Sequence, residues 1–189
     1  MDTISRYPVP KLEDLPADIK SRVLEVQEKA GFVPNVFLAM AHRPDELRAF
    51  MAYHDALMLK ESGLSQAERE MIIVTTSNDN GCLYCVVAHG AILRIRAKDA
   101  LIADQVAVNY LKADISARQK AMLTFALKIS NNAQATSEED FVILKSFGFS
   151  DEDMWDIAAI TAFFGLSNRM VSFASIQPNK DFYGMARDI

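Results

Sequence analysis

Four side chains in this sequence have the types and spacing for thiol redox chemistry: Glu70, Cys82, Cys85 and His89. The run Cys82-Leu83-Tyr84-Cys85-Val86-Val87-Ala88-His89 places two thiols and an imidazole at i, i+3 and i+7. At 3.6 residues per turn those positions fall within about 60° of one another, so a helix there carries all three on one face. Gly81 lets the chain turn just before such a helix, which puts both cysteines in its first turn. Unpaired backbone N–H groups at a helix start favour a thiolate and lower its pKa. His89 lies one turn beyond Cys85, within reach to exchange its proton.

Glu70 precedes the break at Asn80-Gly81. If the helix before the break reverses into the one after it, Glu70 lies about 15 Å back along one helix and His89 about 10 Å along the other. An antiparallel hairpin would therefore bring the carboxylate to the imidazole, where it orients the ring and sets its tautomer.

The elements that must hold these residues all read as helices. An extended arm through Tyr7-Pro8-Val9-Pro10 to Pro16 precedes a helix over 18–29, and a short helical piece follows over 36–41. Pro44 suits a helix N1 position, and Leu47, Phe50, Met51, His54, Leu57 and Met58 repeat at helical spacing up to a stop at Gly63. Ser65 with Glu68 forms a capping-box pattern that starts a helix to about Asn78, and Cys82–Arg96 follows. Residues 99–111, 116–131, 138–146 and 151–175 also prefer helix, with Ser116 and Ser137 as N-caps and Gly148 as a stop. No run alternates as a strand does, so the fold class is all-α. Leu64–Ile72 echoes Ile115–Leu123, as an internal duplication or two similarly capped helices would. The whole chain, 1–189, reads as one domain, with residues 1–17 as the arm and the core over about 18–176.

Other readings of the same residues stay open. The cysteines also fit an inert buried pair, and with His89 and Glu70 they would supply four zinc ligands. A helical core of this size needs no structural zinc. Covalent haem attachment requires His directly after the second cysteine, where Val86 stands, and no βαβ pattern surrounds the motif as in thioredoxin. His42 and His54 read as structural, Met51, Met58, Met71 and Met154 as core, and Asn168 and Arg169 as helix-to-helix hydrogen bonders. Tyr84 either lines a pocket or packs. Trp155 is uninformative.

Glu70, Cys82-Leu83-Tyr84-Cys85 and His89 together resemble the alkylhydroperoxidase D-like (AhpD-like) family of the carboxymuconolactone decarboxylase superfamily, and more narrowly its peroxidase-related branch. Gly31-Phe32-Val33-Pro34-Asn35, Ala41-His42-Arg43-Pro44, Leu64-Ser65 with Glu68-Arg69-Glu70, and Asn168-Arg169 extend the likeness over about residues 30–170. The resemblance implies an AhpD-like multi-helix bundle and an alkyl hydroperoxide reductase. Cys85 would attack the peroxide and become a sulfenic acid, Cys82 would resolve it to a disulfide, and His89 with Glu70 would relay the activating proton. A lipoyl or thioredoxin-like dithiol protein would restore the thiols, with no cofactor. The best-studied members carry His between the cysteines, whereas this chain has Tyr84, a phenol that titrates near 10 and is no base at neutral pH. Tyr84 is thus a candidate substrate-binding residue. Decarboxylases of the superfamily lack the C-x-x-C pair; a general dithiol oxidoreductase or a redox sensor on the same scaffold are the remaining alternatives.

Composition narrows the setting. The 189 residues are 50% hydrophobic and 24% charged, with a net charge of −5, an ordinary globular balance. The 20 Lys and Arg are scattered, which disfavours a nucleic-acid partner. The longest apolar stretch, Ile157–Leu166, is far short of the roughly 20 residues that cross a bilayer. Met1-Asp2-Thr3-Ile4-Ser5-Arg6 has no apolar signal region, and two close cysteines suit a reducing compartment. A cytoplasmic protein without a membrane partner is expected. Apolar residues around much of the last long helix point to a homo-oligomer, and the family forms dimers, trimers and hexamers.

Overall fold

Ser65 accepts a hydrogen bond from the Glu68 N–H at 3.2 Å, and the Glu68 carboxylate accepts one from the Ser65 N–H at 2.9 Å. Ser116 with Gln119 and Ser150 with Asp153 close the same reciprocal box. These boxes satisfy backbone donors that a helix start leaves unpaired, so short polar patterns fix where three central helices begin. In the computed structural model, which describes residues 3–189, the helices are α1 (Ala17–Ala30), α2 (Asn35–Met40), α3 (Pro44–Met58), α4 (Gln66–Asp79), α5 (Leu83–Ala97), α6 (Ile102–Asn109), α7 (Ala117–Asn132), α8 (Glu138–Ser146), α9 (Asp151–Phe173) and α10 (Asp181–Gly184). Among the described residues there is no strand, and the fold is the expected all-α bundle.

Helix α4 is the hub. It packs against α5, α6, α7 and α9, and every residue from Glu68 to Ser77 is buried. Ile72, Ile73, Val74, Thr75 and Thr76 are all β-branched and individually poor helix formers. Burial overrides that preference, since each large apolar side chain removed from water stabilises by about 1.5–3 kcal/mol. Thr76 returns its hydroxyl to the Ile72 carbonyl at 2.7 Å. Buried Arg69 donates to the carbonyls of Met58 at 2.8 Å and Lys60 at 2.8 Å, so α4 holds the C-terminal end of α3. That helix ends at Met58, before the expected stop at Gly63. Gly63 serves a different purpose: a Cβ there would lie 2.2 Å from a carboxylate oxygen of Asp153.

Helix α9 closes one side of the bundle. Met154, Ile157, Ile160, Phe163 and Phe164 are buried, whereas Leu166, Met170 and Phe173 are exposed, so its apolar surface is only partly covered within one chain. Beyond α9, the Arg6 N–H donates to the Ala174 carbonyl at 2.9 Å and the Gln177 N–H to the Ile4 carbonyl at 3.0 Å. A single 3-10 turn over Leu12–Asp14 then leads into α1. Buried Arg94 of α5 donates to the Phe182 and Met185 carbonyls, both at 2.9 Å, and so anchors the last segment. No helix among the described residues is long and apolar enough to cross a membrane.

Candidate active site

The thiols occupy the sharp reversal between α4 and α5. Asn80 caps α4, Gly81 takes a left-handed φ of +65° that favours glycine, and Cys82 is the extended N-cap of α5. Cys85 is then the third helical residue, so both cysteines lie at the helix start as their spacing predicts. Their Sγ atoms are 2.7 Å apart, and both side chains are buried and unbridged. They sit in an apolar cluster with Ala88, Val171, Ile176 and Phe182. Asn168 of α9 steadies the reversal: it accepts from the Asn80 amide at 3.0 Å and donates to the Ser77 hydroxyl at 2.9 Å.

The two sulfurs ionise as a pair. The hydrogen bond shared with the Cys85 thiol draws the Cys82 pKa down to about 6, against burial, with the Cys85 amide and the Ser172 and Asn168 side chains assisting. Cys85 moves the opposite way, because its hydrogen bond with Cys82 and its burial both disfavour its thiolate. The first ionisation therefore belongs to the pair, with Cys82 the more acidic thiol of the two. The neighbouring thiol influences Cys82 more than the backbone N–H groups of the helix start do.

Glu70 and His89 meet as the hairpin geometry predicts. Glu70 Oε2 lies 2.8 Å from His89 Nδ1, with both side chains largely buried. A carboxylate on Nδ1 fixes the tautomer that carries its proton there and leaves Nε2 as an acceptor. The Phe164 ring meets the imidazole edge-on, with centroids 4.7 Å apart, and restricts its rotation.

A cavity of about 500 Å³ connects these groups. Cys85, His89 and Tyr84 border it; Cys82 does not. Apolar side chains from Phe37, Phe50, Met51, Ile92 and Phe164 form much of the wall. Tyr84 both lines the cavity and packs. Its hydroxyl accepts from the Val36 N–H at 3.3 Å, tying α2 to α5, and burial pushes its pKa up, so it stays a neutral phenol. A smaller hollow of about 200 Å³ beside Tyr7 and His42 touches neither cysteine.

Several neighbours of the site carry no signal in the local sequence pattern. His54 sits on the apolar stripe of α3 as expected, yet it borders the same cavity; burial holds its pKa below the usual histidine value despite Asp55 at 3.1 Å. Phe182 and Met185 arrive from the last segment of the chain. The zinc reading does not fit the geometry. Among the described residues, no three His, Cys, Asp or Glu side chains are placed to hold a metal ion, and the four candidates form two pairs.

Comparison with known proteins places this arrangement. Residues 44–100 match the model of the carboxymuconolactone decarboxylase family. The chain is 66% identical to a peroxidase-related protein with an alkylhydroperoxidase AhpD core from Ralstonia eutropha JMP134, covering 99% of this chain and 98% of that one with a TM-score of 0.98. A peroxidase-related protein from Silicibacter sp. TM1040 is 40% identical over 98% of this chain and 97% of that one, with a TM-score of 0.93. The debrominase Bmp8 shares the fold at 21% identity, with a TM-score of 0.76 over 98% and 97% of the two chains. No curated protein matches the chain.

Proposed function

From the premise that this chain belongs to the AhpD-like, peroxidase-related members of the carboxymuconolactone decarboxylase superfamily, we propose that it is a cysteine-based alkyl hydroperoxide reductase. The observation that carries this reading is the position of Cys85: it alone of the two thiols borders the cavity, 2.7 Å from Cys82 and along a helix face from an imidazole held by Glu70.

In the resting pair the proton sits on Cys85 and the charge on Cys82. Transfer of that proton across the short gap makes Cys85 the thiolate without adding a second charge. Cys85 then attacks the distal peroxide oxygen, the O–O bond breaks, and Cys85 sulfenic acid and an alkoxide form. The alkoxide takes the proton now on Cys82, relayed by His89 as Glu70 orients it, and leaves as the alcohol with Cys82 again ionised. Cys82 then attacks the Cys85 sulfur and expels hydroxide, which takes a proton from solvent and leaves as water, completing a disulfide. An external dithiol, on a lipoyl or thioredoxin-like protein, takes the oxidation in turn and returns both thiols. A low Cys82 pKa suits the resolving role, because it keeps that sulfur nucleophilic at neutral pH. Tyr84 shapes the cavity beside Cys85 as a substrate contact. A reducing, cytoplasmic setting and a homo-oligomer that covers Leu166, Met170 and Phe173 belong to the same proposal.

Hydroperoxide consumption with a dithiol reductant tests this reading in wild type, Cys85→Ser and Cys82→Ser. Both variants are expected to lose steady turnover, with Cys82→Ser completing one stoichiometric reduction. Undiminished turnover in both variants would overturn it, and dithiol–disulfide exchange without peroxide reduction would favour a general oxidoreductase.

A further inference from the structure

The cavity beside Cys85 is long and mostly apolar, and it carries two cations that the proposed peroxide chemistry does not use. One wall is a single stripe of α5, formed by Cys85, Ala88, His89, Ile92, Ile95 and Arg96. These are the i, i+3, i+4, i+7, i+10 and i+11 positions of one helix face. The stripe therefore runs about 16 Å from thiol to guanidinium along the helix axis, at 1.5 Å per residue. Helix α1 contributes Val26, Lys29 and Ala30 to the lining.

Lys29 and Arg96 are exposed, each in the last turn of its helix, and neither has a carboxylate partner among the described residues. The third cation of the lining, Arg22, is already engaged with Asp55 at 2.7 Å and Glu25 at 3.4 Å. In a chain of net charge −5, two cations without carboxylate partners stand on one mostly apolar cavity, where they favour an anionic group. A small neutral peroxide would use neither the length nor the charge. A ligand with an apolar body and an anionic end uses both.

We propose that the substrate is a straight-chain alkyl hydroperoxide with a free terminal carboxylate, a fatty-acid hydroperoxide. Its carboxylate pairs with Lys29 and Arg96, its chain lies along Ile95, Ile92 and Ala88, and its hydroperoxide reaches Cys85. The hydroperoxide end of this assignment rests on the peroxidase reading above; the carboxylate and chain rest on the cavity alone. The product is the corresponding hydroxy acid, the two electrons coming from the cysteine pair.

Calorimetric binding of dodecanoate and of uncharged dodecanol to the full chain separates the two parts, because neither ligand can be reduced. Dodecanoate is expected to bind about fivefold more tightly at low salt, as exposed ion pairs permit, and to lose that margin at high salt and in Lys29→Glu/Arg96→Glu. The ratio of kcat/KM for a fatty-acid hydroperoxide to that for its methyl ester should fall in the same double variant. Equal binding of the two ligands, or a preference that survives the double variant, would overturn the proposal while leaving the peroxidase reading intact. So would vesicles of phospholipid hydroperoxide being consumed as fast as the free acid. Selective dodecanoate binding by a protein that reduces no hydroperoxide would sink the peroxidase reading instead and leave an anionic-lipid site.

Discussion

Cys82 and Cys85 lie 2.7 Å apart, yet Cys82 is the more acidic thiol and the cavity reaches only Cys85 of the two. The division follows from position: Cys85 belongs to the α5 face that lines the cavity, whereas Cys82, the N-cap, points its sulfur where Cys85, Asn168 and Ser172 stabilise it. One thiolate per chain should therefore appear as pH rises through about 6, measured by ultraviolet thiolate absorbance, with no second one below strongly alkaline pH. Replacing Cys85 by Ala removes the thiol that shares a hydrogen bond with Cys82, so the remaining midpoint should climb toward that of an ordinary thiol.

The Glu70–His89 contact should matter more to rate than to structure. Replacing His89 by Ala removes the proton carrier and is expected to slow peroxide reduction by about 100-fold or more. Glu70→Gln keeps an oxygen near Nδ1 but not the charge, and a smaller loss is expected. Single-turnover kinetics with Cys82 and Cys85 intact checks both, and full activity in His89→Ala would remove the relay.

Gly63 is required by close approach rather than by φ. A Cβ there meets the buried Asp153 carboxylate, which already accepts from the Ser150 N–H at 2.9 Å and cannot retreat freely. Gly63→Ala should cost about 1–3 kcal/mol, read as a lowered thermal midpoint.

His54 sets a pH dependence of stability. Burial depresses its folded-state pKa below the unfolded value of 6.5, so below that pH the unfolded chain binds a proton that the folded chain resists. Its contribution makes stability fall as pH drops through 6.5, and His54→Gln should flatten that part of the profile. Thermal unfolding of the two proteins at a series of pH values measures it.

Much of the fold was legible because the signals were local. Ser65 with Glu68, the break at Asn80-Gly81 and the helical stripes set most element starts within a residue or two of those observed, α6 beginning at Ile102 rather than 99, and the helical rise per residue paired Glu70 with His89. The α3 stop was misplaced because Gly63 looks like a helix terminator, when its reason is Asp153, ninety residues away. The same distance hid the rest of the site. That His54 of α3, Phe164 of α9 and Phe182 near the chain end share a cavity with Cys85 depends on tertiary packing. That Cys82 is the more acidic thiol depends on the surroundings of the two sulfurs, which the C-x-x-C spacing does not encode.

Mass spectrometry after one equivalent of an organic hydroperoxide tests the central claim most directly. The wild type should lose two hydrogens as Cys82 and Cys85 join, and Cys82→Ser should gain one oxygen, mapped to Cys85. Oxygen retained on Cys82 in Cys85→Ser at the same rate, or a wild type whose thiols remain unchanged, would contradict it.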